Sequence, residues 1–201
     1  MTRSNNGEPA RDRNGASDRL PTIAPEHYTT EQAEAAAQFV AARKVPVFGP
    51  YEFLMHSPEL MTHARAMGDH LRFRSAIGTV LSELAIIITA RAWNQDYEWF
   101  VHAPIAARMG IRKDIIDAIA HGRKPERLSE DEAIVYDFST ELHANKQVSD
   151  ATFARAEQRF GRRGVVDLAG INAYYALIAA HLNVARYQPP ADAAGLPRLP
   201  G

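Results

Sequence analysis

The chain contains no cysteine in its 201 residues. That absence excludes disulfides, zinc–thiolate centres and every reaction that runs through a thiolate. A surplus of charge is missing too, since 23 Lys and Arg stand against 24 Asp and Glu. The balance removes the electrostatic case for a nucleic acid or an anionic membrane as partner. No run reaches the roughly eighteen consecutive apolar residues of a transmembrane helix. The opening stretch, MTRSNNGEPARDRNGASDRLPTIAPEH, has no apolar core of the kind a secretion signal needs. A soluble, cytoplasmic protein is the expectation. Segments of alternating polarity bounded by hairpin turns are absent, and so is any fixed repeat period.

What is present is enough apolar material for one core: hydrophobic residues make up 46% of the chain. Residues 1–27 mix Gly, Pro, Asn, Ser and charges, and predict a disordered arm. Residues 28–187 predict a single all-α domain, a compact bundle of about eight helices. Residues 188–201 hold a proline-rich arm, QPPADAAGLPRLPG, expected to be extended and either disordered or laid across a neighbouring subunit. Within the body the punctuation is helical. Thr29 with Gln32, and Ser129 with Glu132, have capping-box spacing ahead of helices at 31–43 and 130–144. Ser57–Pro58 predicts the start of a helix running to about 74. The segment 79–92 is apolar around most of its circumference and belongs in the middle of a bundle. A tight break at Trp93–Asn94 separates it from a helix over 94–109, and a short Ile-rich helix occupies 113–121. Ser149 caps 150–160, and 163–185 has apolar residues at helical spacing.

The stretch ARAWNQDYEWFVHAPIAARMG, residues 90–110, concentrates the ionisable and aromatic side chains. Glu98 and His102 stand at i and i+4, so their side chains share one helix face. A carboxylate bound to one imidazole nitrogen fixes the tautomer and leaves the other nitrogen free to move a proton. Tyr97 and Trp99 flank Glu98 as candidate pocket walls. Glu83 lies in the most apolar helix and, if buried, must be paired or hold its proton. With the helices on either side of the Trp93–Asn94 break packed together, Glu83 approaches the Glu98/His102 face. Competing readings exist for each feature. A Glu–His pair at this spacing also occurs on solvated helix surfaces, Glu83 also suits an ion pair with Arg91 or Arg74, and the aromatic trio also suits core packing. A metal is not expected, because carboxylate-bridged di-iron bundles use Glu-x-x-His on two helices, and here the spacing differs and has no second copy.

SELAIIITARAWNQDYEWFVHAPIAARMGI followed by KDIIDAIAHGR resembles the carboxymuconolactone decarboxylase family, which includes the alkylhydroperoxidase D proteins. The likeness is close over 71–122 and loose over 50–185. It implies a compact all-α fold assembled as a homo-oligomer, trimer or hexamer. By the resemblance, Glu83 and His102 match the glutamate and histidine of the proton relay in the peroxidase branch. That branch carries a Cys-x-x-Cys pair where this chain has Gln95 and Glu98, so its thiol chemistry does not carry over. The decarboxylase branch lacks the pair and has a glutamate four residues before its histidine, as Glu98 precedes His102. The resemblance thus implies cofactor-independent proton transfer on a small carboxylated lactone or related acid. His102 would carry the proton, Glu98 orient it, and Glu83 tune it or act as a second proton-transfer group. Among cations, Arg72, Arg74 and Arg91 are nearest in sequence for holding a substrate carboxylate, with Arg91 placed beside Tyr97 and Trp99 as a pocket candidate. A non-catalytic homo-oligomeric binding or scaffold protein of the same fold is the alternative.

Overall fold

A computed structural model describes residues 19–193 and 195–199. The expectation of disorder for residues 1–18 lies outside the described residues. A 3-10 turn, Pro25–His27, leads into eight α-helices: α1 Thr30–Arg43, α2 Pro50–Leu54, α3 Pro58–Phe73, α4 Thr79–Ala92, α5 Asp96–Arg108, α6 Lys113–Ala120, α7 Glu130–Asn145 and α8 Asp150–Ala185. Among the described residues there is no strand.

Both capping boxes form. The Thr29 and Gln32 side chains exchange hydrogen bonds with each other's backbone N–H, and those of Ser129 and Glu132 do the same. Pro58 opens α3, but the Ser57 side chain makes no cap bond. Between α1 and α3 lies the short α2, started by Pro50. The two C-terminal segments read from sequence run into one another as α8, with a single non-helical residue at the join. That residue is Gly161, at φ 67°, ψ 173°, where the backbone leaves helical geometry and resumes it.

Helix α4 is the axis. It packs on α3, α5, α6, α7 and α8, and every residue from Ser82 to Arg91 is buried. That is the arrangement its all-round apolar sequence requires. The Trp93–Asn94 turn, with Asn94 in left-handed backbone at φ 50°, folds α5 back against it. The second half of α8 closes the other side through Leu168, Ile171, Ile178 and Leu182. Helix α8 has the length and average hydropathy of a membrane span. More than half of its most apolar window is nonetheless buried inside the domain, where it serves as a core helix.

The described parts of the two expected arms differ from expectation. The Arg19 N–H donates to Ala185 O at 2.9 Å, and Leu20 packs on the core. The C-terminal stretch, expected disordered or on a neighbour, lies against its own domain instead. Leu196 is buried, its N–H donates to Asp96 Oδ1 at 2.8 Å, and Arg198 Nη2 reaches Asp96 Oδ2 at 3.0 Å. After a turn in which the Ala193 N–H donates to Pro190 O, the stretch has no helix or strand to absorb its backbone groups, and these go to partners such as Asp96 and Arg91.

The burial pattern gives a direct stability test. Ile87 has no exposed surface, whereas Val166 is 69% exposed. Ile87→Ala is expected to cost about 2–5 kcal/mol in urea unfolding, and Val166→Ala less than about 0.5 kcal/mol.

Candidate active site

The site is built where α3, α4 and α5 meet. Helix α4 carries Glu83 into the interior, where an isolated carboxylate would be strongly disfavoured. Two partners compensate it. Arg72 of α3 donates through Nε to Glu83 Oε1 at 2.8 Å, and His102 Nδ1 lies 2.7 Å from Glu83 Oε2. Burial alone would raise the Glu83 pKa. The hydrogen bond and charge of His102, together with Arg72, outweigh it and hold the carboxyl below its ordinary value. An ionised carboxylate only accepts, so the Nδ1–H of His102 donates. The imidazole is thereby fixed with Nε2 turned the other way.

Nε2 faces Glu98. Glu98 Oε2 lies 3.6 Å away, beyond hydrogen-bond distance, and this buried oxygen has no hydrogen-bond partner. Burial pushes the Glu98 pKa up, and Glu83 adds to the rise; His102 and Arg72 oppose it without reversing it. Two carboxylates thus bracket one imidazole with opposite tendencies. Glu83 is held ionised and Glu98 is biased toward its acid form, the divergence that separates proton donors from orienting anions in catalytic sites. The orienting role read for Glu98 from its spacing therefore falls to Glu83, nineteen positions before His102, because only tertiary packing brings its carboxylate onto Nδ1.

A cavity of about 180 Å³ opens onto Arg72, Glu98 and His102, with Tyr97 among its walls. Glu83 stands behind them and does not line it. Trp99 is buried in the core rather than in the cavity wall. Arg91 lies elsewhere: Nη1 donates to Ala120 O at 3.0 Å and to Pro197 O at 2.7 Å, so it anchors the C-terminal stretch. Neither Arg91 nor Arg74 meets Glu83; the cation there is Arg72.

Four lining residues had no signal in the i,i+4 spacing: Arg43, Tyr51, Tyr174 and Tyr175. Arg43 pairs with Asp69 at 2.7 Å and donates to the Tyr51 hydroxyl at 3.1 Å, which in turn meets the Tyr174 hydroxyl at 3.1 Å. The close approach of Tyr174 to α3 depends on Gly68, where an added Cβ would sit 2.5 Å from the Tyr174 hydroxyl. The Tyr175 ring stands edge-to-face on His102, centroids 5.1 Å apart. The adjacent Tyr174 and Tyr175, within the apolar-spaced second half of α8, were the available hint. The N-cap of α5 was also missed: Gln95 Oε1 accepts from the N–H groups of Tyr97 and Glu98, while its Nε2 donates to Asn183 Oδ1 on α8 at 3.0 Å. Among the described residues, no group of three or more His, Asp or Glu is arranged to hold a metal ion.

Sequence comparison finds no matching family model and no matching curated protein. Solved structures do match. An alkylhydroperoxidase AhpD core, an uncharacterized peroxidase-related protein from Ralstonia eutropha JMP134, superposes with a TM-score of 0.66 at 20% identity, covering 87% of this chain and 93% of its own. The fold is AhpD-like. An uncharacterized peroxidase-related protein from Silicibacter sp. TM1040 aligns similarly, at a TM-score of 0.63 and 13% identity, over 87% of this chain and 91% of its own. Within this AhpD-like frame, the cysteine-free chain sets a capping glutamine at 95 and, at 98, a buried acid whose Oε2 accepts no hydrogen bond.

The opposed carboxyl groups predict a pH signature. Glu98, raised in the folded state above its ordinary 4.5, contributes stability below that value and loses it as pH climbs through the folded pKa. Glu98→Gln keeps the shape without ionising. Its urea-unfolding free energy is therefore expected to gain on the wild type as pH rises from about 4.5; parallel profiles would refute the assignment.

Proposed function

We propose that the protein is a cofactor-independent lyase or isomerase, of the carboxymuconolactone decarboxylase type, transferring protons to and from a small carboxylated lactone or related acid. The observation that carries this reading is the imidazole held between an ionised Glu83 and Glu98, whose buried Oε2 accepts no hydrogen bond, at a ring-sized cavity. In a decarboxylation the carbon–carbon bond to the carboxylate breaks, carbon dioxide leaves, and the electron pair moves into the conjugated carbonyl. A proton must then reach the conjugated carbon. Glu98 and His102 Nε2 are the proton-carrying groups on the cavity wall, and the proton they give up returns from solvent. Glu83 keeps His102 oriented throughout, and Arg72 adds the positive charge that draws an anionic substrate in.

The scaffold reading finds less support in this site. A non-catalytic pocket gains nothing from a buried carboxyl oxygen without a partner, which costs stability unless the group is used. The proposal includes assembly into a homo-oligomer, trimer or hexamer. Large exposed apolar side chains such as Phe48, Met67 and Phe73 would suit a subunit contact.

A screen of unsaturated lactones and β-keto acids for carbon dioxide release tests the reading. His102→Ala is expected to lower kcat by about 10²–10⁴-fold with an unchanged circular dichroism spectrum. Full activity in that variant would overturn the assignment.

A further inference from the structure

Two adjacent tyrosines of α8 share the cavity wall and differ in one respect. The Tyr174 hydroxyl is engaged by Tyr51, and that pair by Arg43. The Tyr175 hydroxyl has no hydrogen-bond partner among the described residues, although Tyr175 is 94% buried (6% exposed) and its ring meets those of His102 and Tyr174 edge-to-face, with centroids 5.1 and 5.2 Å away. The same holds for part of Arg72. Its Nε is committed to Glu83 Oε1, while neither Nη nitrogen has a partner among the described residues, and the side chain lines the cavity. Tyr175 and Arg72 are near enough to influence one another's ionisation.

Resting on the proton-transfer reading above, we infer that the Tyr175 hydroxyl, beside the free edge of Arg72, is the hydrogen-bond donor for the substrate oxygen that becomes negative during reaction. The chemistry requires such a group. When carbon dioxide departs, or when a proton leaves a carbon next to a carbonyl, the electron pair ends on the carbonyl oxygen as an enolate. A preorganised donor aimed at that oxygen lowers the barrier because its bond strengthens as charge develops. Tyr175 suits this task. Burial and the neighbouring Glu98 push its pKa well above 10, so the phenol stays protonated and donates. Its ring packs against two others, and it lines the same cavity as Glu98 and His102. The cavity of about 180 Å³ is comparable to an engineered one of roughly 150 Å³ that holds benzene. The ligand class is therefore a single planar ring or its equivalent, bearing a conjugated carbonyl whose oxygen reaches Tyr175.

Substituted phenols mimic such an enolate, with one ring and one oxygen of tunable charge. The wild type is expected to bind 4-nitrophenol with a shift of its phenolate absorption band. Tyr175→Phe, which keeps the ring packing, should weaken binding by about ten- to a hundred-fold. The loss should grow with the basicity of the phenol across a nitro- and halophenol series, a trend that a packing role would not produce. In turnover, the same variant should lose kcat with little change in KM, as expected for an interaction made mainly in the transition state. Wild-type protein that binds no phenol, or a Tyr175→Phe variant that binds the series like the wild type, overturns the inference. If that variant does not fold, the proton spectrum of the wild-type complex decides. A far-downfield resonance from the tyrosine–phenolate bond is expected, and its absence counts against the inference. Carbon dioxide release that needs His102 but not Tyr175 would sink this inference alone. Tyr175-dependent phenol binding without turnover of any acid would sink the reaction and leave the oxyanion site standing.

Discussion

A carboxylate inside an apolar helix cannot be left alone, and Glu83 organises the molecule around that constraint. Taking an ion out of water costs several kcal/mol, recovered only when partners approach with good geometry. Helix α4 is apolar on every side and offers none. The compensation comes from outside it, as the guanidinium of Arg72 on α3 and the imidazole of His102 on α5, at 2.8 and 2.7 Å. One buried charge thereby joins three helices. It also spends one nitrogen of the histidine on structure and directs the other into the cavity.

The second carboxyl shows what the arrangement is organised to do. Glu98 shares the interior with Glu83 but receives no hydrogen bond on Oε2, and its surroundings favour the proton that Glu83 has lost. Two chemically identical side chains are pushed in opposite directions, Glu98 up by burial and Glu83 down by partners that outweigh its burial. The walls continue the pattern. Tyr51 and Tyr174 hydrogen-bond to one another while Tyr175 keeps a free hydroxyl, and Arg43 is absorbed by Asp69 and Tyr51 while Arg72 keeps its Nη groups. These groups, together with Arg43 Nε, which also lacks a hydrogen-bond partner, belong to residues lining one cavity.

The helix bearing His102 is secured from its far end. Gln95 closes the start of α5 and ties it to Asn183 of α8, and Asp96 accepts from Leu196 and Arg198 of the C-terminal stretch. Arg91, the last buried residue of α4, holds Pro197 of the same stretch. A proline-rich tail that reads as an independent arm is thus a brace across the α4–α5 turn, and the two helices that supply Glu83, Glu98 and His102 are fixed at their shared corner.

Much of this was legible beforehand because it is local. Capping boxes at Thr29 and Ser129, the break at Asn94 and the predominant apolarity of 79–92 each act within a few residues, so spacing alone located α1, α7, α5 and the central α4. The convergence of Glu83, Glu98 and His102 also followed from sequence, since a tight turn between two helices leaves them little choice but to pack. Which carboxylate binds Nδ1 was not legible. An i,i+4 pair suggests Glu98, and only the packing angle of α4 against α5 hands that bond to Glu83. Arg72 over Arg91, Trp99 turned into the core, and the tyrosine wall from α8 are long-range outcomes of the same kind. Sequence determined the helices and the candidates, because caps and periodicity are short-range forces. The tertiary structure alone decided each group's partner and protonation, because burial and charge pairing depend on neighbours distant in the chain.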